Sequence, residues 1–168
     1  FADVDGTLPA ATVDLNAETG IGAAGTVELA ATTITADTTD GNINLAHANA
    51  DATDTSGLTT VTGTIAFAQS EGGESTFTSA TTTDGAINLS NAGGDLIATS
   101  VTAGGTANVD LETTTDVTSG SITIGAVAAA GDTVTVTSVG SIDNAAGTLT
   151  AATVDLNAET GIGAAGTV

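Results

Sequence analysis

Carboxylates dominate the chemistry open to this 168-residue chain: it has 20 Asp and Glu, one His, and no Lys, Arg or Cys. Acids at close spacing can hold divalent cations, so Asp3, Asp5, Asp51, Asp54, Asp110 and Glu112 are the candidate metal contacts. Asp3 and Asp5 lie in DVDG, which opens like a calcium loop. A calcium loop of the EF-hand type needs further oxygen ligands and a Glu at its twelfth position, and that position is Asp14 here. Two carboxylates at a set separation can also hydrolyse a glycosidic bond. Sugar platforms, however, would have to come from Phe1, Phe67 and Phe77 alone, and no Lys or Arg is present to neutralise a uronate. The expectation is that the chain is not an enzyme and requires no cofactor, with calcium or another divalent cation on its acidic faces as the one cofactor class it could use. His47 has no partner at metal-ligand spacing and reads as a turn or surface residue after GNINL (41–45).

The formal charge of −20 excludes some partners. Phosphate backbones are bound by Lys and Arg that displace counterions, so nucleic acid is not expected. Anionic lipid surfaces need the same residues, and no apolar run reaches the length of a membrane span. Yet 40% of the residues are apolar, mostly Ala, Val, Ile and Leu, which is too many for an acidic disordered linker. A narrow core of small and branched side chains fits this composition.

The elements that would position the acids are short strands. GTVEL (25–29), GNINL (41–45), GTIAF (63–67), GAINL (85–89), GTANVDL (105–111), GSITI (120–124), GSIDN (140–144) and GTV (166–168) each follow a Gly with alternating residues. Alternation with period two marks a strand with one buried face. Val27 and Leu29, Ile43 and Leu45, Ile65 and Phe67, Ile87 and Leu89, Val109 and Leu111, and Ile122 and Ile124 are the expected inward pairs. Between them lie TVDLN (12–16), TTITA (32–36), TTVT (59–62), STFTS (75–79) and TVTVT (133–137).

One stretch sets a longer period. GTLPAATVDLNAETGIGAAGTV at 6–27 recurs at 147–168 with the single change of Pro9 to Thr150, an offset of 141 residues. Repeats are the signature of stacked units that bury their inward faces only against neighbours. The strand starts are 15 to 26 residues apart, giving seven units of roughly 20 residues per period. The expected fold is all-β: a right-handed parallel β-helix of about seven coils per 141-residue repeat, with strands about 4.8 Å apart along the axis. Residues 1–168 form one continuous solenoid segment, with 6–146 one full period and 147–168 the start of the next. Pro9 cannot donate to a ladder and is expected at a strand edge or corner.

The run ATVDLNAETGIGAAGTVELAATTITADTTDGNINL (11–45) resembles the repeats of filamentous haemagglutinin-type adhesins, with their GIG turn, TxTA segment and DGNIxL strand. The resemblance continues through GAINL, GSITIG and VTVTSVGSIDN. It implies a parallel β-helix in a large, secreted, repetitive bacterial surface protein, extracellular or at the cell surface. On that reading the chain is a structural shaft or filament segment. Its partner is itself, through axial stacking of coils or lateral cation-bridged association. Two alternatives remain open: a passenger that binds cell-surface glycans or a partner cell, and an ice-binding solenoid built on TxT elements at 33–35, 60–62, 76–78 and 133–137. The second needs threonines in register on one flat face, which strand starts 15 to 26 residues apart argue against.

Overall fold

A computed structural model describes residues 7–114 and 120–163. Sixteen strands join into one sheet through parallel pairs, and no helix occurs among the described residues. The chain winds as a β-solenoid of about seven turns with a spacing of about 22 residues. Nearly all its ladder bonds therefore run between residues one coil apart, as Ile43 to Ile65 and Ile65 to Ile87 show.

Three faces make up the coil. The first carries Val27–Ala30, Ile43–His47, Ile65–Gln69, Ile87–Ala92 and Val109–Thr114, then residues 134–138 and 153–158. The second stacks 12–13, 33–34, 53–55, Ser75–Phe77, 96–98, 122–124, Ser141–Asn144 and Gly161–Ile162. The third stacks residues 35–40, 57–62, Ala80–Asp84, 101–103, 126–129 and 149–151. All twelve residues of the expected inward pairs are buried, because alternation on a strand sends every second side chain to the interior. The Ala-rich run at 126–130 lies largely in the third face, within the long strand Ile122–Ser138.

Two expectations about order need correction. GSITI and GSIDN do not continue the column of the earlier Gly-led strands: Ile122 and Ile142 stack on Leu96 in the second face. The first face is continued instead by Val134 on Val109 and Val154 on Val134. A Gly followed by a small residue marks a corner, and the coil has more than one. Counting from one kind of corner to another produces the 15-residue interval, and following a single face gives coils near 22. Gly63 shows why a corner needs glycine: its φ is +126°, and a Cβ there would lie 2.5 Å from the Gly41 carbonyl oxygen.

The interior is thin. Phe67 from the first face and Phe77 from the second meet edge to face, with centroids 5.1 Å apart, and fill the space between sheets. Elsewhere aliphatic columns suffice, such as Ala36, Leu58, Ala80, Val101 and Val127 on the third face. Pro9 pairs with Ala30 in the two-residue strand Leu8–Pro9, which lies beside Val27–Ala30.

Candidate interaction surfaces

The described acids sit on the outside of the strands and in the turns. Among the in-register pairs of the described residues none sets an acid against an acid. Asp54 lies between Thr33 and Thr76, Asp110 between Asn88 and Thr135, and Glu112 between Ser90 and Thr137. Asp40 and Asp84 are separated by Thr62. Like charges directly opposite destabilise a ladder, so a neutral hydroxyl or amide between acids relieves repulsion along the axis. In-register neighbours also donate, Thr35 to Asp14 at 2.8 Å and Thr62 to Asp40, and Thr78, two residues past the Asp54 partner Thr76, donates to Asp54 at 3.0 Å.

Of the six candidate cation contacts, Asp3 and Asp5 lie outside the described residues. Asp51 occupies the turn after Ile43–His47, where its N–H donates to Asn49 Oδ1 at 3.0 Å. Asp110 and Glu112 stand side by side on the outer surface of the first face. Among the described residues no three or more of His, Asp and Glu come together as a metal-binding group. Asp95 is used differently: its Oδ1 accepts from the N–H groups of Gly120 and Ser121 at 2.8 and 2.9 Å, tying a corner to the coil beside it.

His47 is not at the surface. It is 1% exposed, one step beyond Ile43 and Leu45 on the inward side of its strand. Its column continues through Gln69, Asn91, Thr113 and Ser138, all buried. Each ends the same stretch: two apolar inward residues, then a polar one. His47 Nδ1 lies 2.5 Å from Gln69 Oε1, and its Nε2 lies 2.8 Å from the Ala31 carbonyl oxygen and 3.1 Å from the Ala31 N–H nitrogen. Gln69 Nε2 donates to the Asn49 carbonyl. Asn91 Nδ2 donates to the carbonyls of Gly73 and Asp95, both at 2.8 Å. The column thus ties the corner backbones of successive coils through their carbonyl oxygens, and that of Asp95 also accepts from the Ser75 N–H at 2.9 Å. Its signal in the sequence is the same alternation, carried one step past each apolar pair.

Two outer surfaces bear on the open alternatives. A shallow depression of about 630 Å³ lies on the first face, over Ala46, Ala66 and Ala68, with Asn88, Asp110 and Glu112 beside them. On the third face Thr59, Thr81 and Thr102 stand in register, so irregular strand starts do not prevent alignment. The alignment covers three coils: Asp37 follows on one side and Ala128 on the other.

No family model, curated protein or solved structure matches this chain. The fold is a parallel β-solenoid, a protein of stacked coils.

Proposed function

We propose that this chain is a shaft segment of a large, repetitive, extracellular surface protein of the filamentous haemagglutinin type, and that its work is mechanical. The observation that carries this reading is the axial pairing: parallel strands stack coil upon coil from residue 8 to residue 162 in one sheet. Each coil contacts only its neighbours, so stability and length both grow by adding repeats. A second instance of the 6–27 sequence at 147–168 is what lengthening by duplication leaves behind. The acid-rich exterior keeps rods soluble and apart. The test is location and shape: antibody raised to the chain should decorate thin fibres on the cell exterior. Label confined to the cell interior would sink the reading.

The depression over Ala46, Ala66 and Ala68 favours a second reading, a passenger that binds glycans directly. Neutral glycans fit it best, because Asp110 and Glu112 repel acidic ones. Binding to immobilised neutral oligosaccharides that is lost in an Ala66→Trp variant would support it. Binding that survives this variant would remove the depression from consideration. The threonine array on the third face supports ice binding less well, since it ends after three coils.

A further inference from the structure

The two copies of the repeated stretch occupy different faces of the coil. In the first, Thr12 and Val13 pair in the second face, Asp14 to Ala17 pair with Thr35 to Thr38 in the third, and Ile21 bridges to Ile43 in the first. In the second, Leu149 to Ala151 lie on the third face, Thr153 to Ala158 on the first, and Gly161 and Ile162 on the second. The first-face column measures the shift. It runs from Leu8 and Leu29 through His47 to Ser138 and Ala158, seven steps that take up 150 residues. The repeat offset is 141 residues, so Leu149, the counterpart of Leu8, comes nine residues before Ala158. Nine residues are about two-fifths of a coil of about 22. The repeat is not a whole number of coils.

Local chemistry explains how one sequence fits two faces. Val13 and Leu15 stack on the buried Ile34 and Ala36, and Val154 and Leu156 stack on the buried Val134 and Val136. Outside, Asp14 stands opposite Thr35 and Asp155 opposite Thr135, and Asn16 and Asn157 each donate to the Asp of their own copy at 3.1 Å. Both neighbours are strands with outward threonines at alternate positions and small or branched residues inward. Period-two alternation decides which side chains turn inward and says nothing of the face.

We propose that tandem copies of this repeat wind their outer surfaces around the shaft, each copy turned about two-fifths of a coil from the one before it. This rests on the shaft reading and says how a shaft displays its surface. The depression over Ala46, Ala66 and Ala68 then recurs on a new side of the rod in each copy. Two parallel shafts bring the same face into contact only about once in five copies, too sparsely for avidity along their length. The offset therefore keeps shafts single, in addition to the mutual repulsion of their acids.

The test uses the 168-residue chain, which has no cysteine of its own, with pairs of outward residues changed to cysteine. Parallel neighbours about 4.8 Å apart lie within the Cα separation that a disulfide spans. Oxidation should join Asp14→Cys to Thr35→Cys, Asp110→Cys to Thr135→Cys, and Thr135→Cys to Asp155→Cys, read as loss of free thiol. These bonds put Asp155 in a first-face column and its counterpart Asp14 in the third face. A whole number of coils per repeat would put Asp155 in the column of Asp14, where Ala126 lies. A bond between Ala126→Cys and Asp155→Cys, or failure of either first-face bond, would overturn the proposal. In native fibres, helical reconstruction should find about two-fifths of a turn between successive repeats. Fibres whose repeats are unrotated would overturn it and leave the shaft reading standing.

Discussion

His47 Nδ1 lies 2.5 Å from Gln69 Oε1, in the interior, between two coils. Replacing either residue with Leu strands the other in an apolar column, and an unpaired buried polar group costs about 1–3 kcal/mol. We therefore expect His47→Leu and Gln69→Leu each to lower stability by roughly that amount. The double variant should cost clearly less than the two combined. Urea unfolding of the four proteins checks this; strict additivity would show that the contact carries no energy.

Gly63 predicts a steeper effect. Its φ of +126° and the 2.5 Å approach of an added Cβ to the Gly41 carbonyl oxygen leave no room for alanine. Gly63→Ala should destabilise by about 2 kcal/mol or more from backbone strain alone. Gly25 has nothing within 4 Å of an added Cβ and no positive φ, so Gly25→Ala should be nearly neutral. Equal melting temperatures for the two variants would contradict this account of the corners.

The phenylalanine pair offers a core test. Phe77 is fully buried against Phe67, and Phe77→Ala should cost about 3–5 kcal/mol. In a solenoid the damage spreads through neighbouring coils only. Hydrogen exchange should therefore quicken first at 53–55 and 96–98, the coils on either side, before reaching residues 141–144. Uniform loss of protection along the chain would argue for a globally cooperative core instead.

Charge should act diffusely. With acids separated by Thr, Ser, Asn or Ala in the in-register pairs of the described residues, their mutual repulsion is spread over the surface and open to screening. Added NaCl should raise the melting temperature, and CaCl2 at matched ionic strength should raise it equally. A calcium-specific increase reversed by chelator would reveal an ion site.

Period-two alternation makes the inward pairs legible from the residue types alone: Ile43 and Leu45, Ile65 and Phe67 lie where the pattern puts them. The assignment of faces is not legible at Gly120 and Gly140, because glycine signals a corner without saying which. His47 departs from its expected surface position for a related reason: polar character suggests a surface, while alternation places it inside. Register between coils sets which neighbour each acid meets. It depends on turn lengths, and no local pattern within a strand encodes those. The threonines beside Asp14, Asp40 and Asp54 acquire meaning only once residues about 22 apart are laid side by side.

The proposed role, one stretch of an external shaft built by axial stacking, is a statement about location and shape. Immuno-electron microscopy of intact cells with antibody to the 168-residue chain tests it most directly. Label should line thin fibres on the cell exterior. Label on compact globular particles, or none outside the cell, would contradict it.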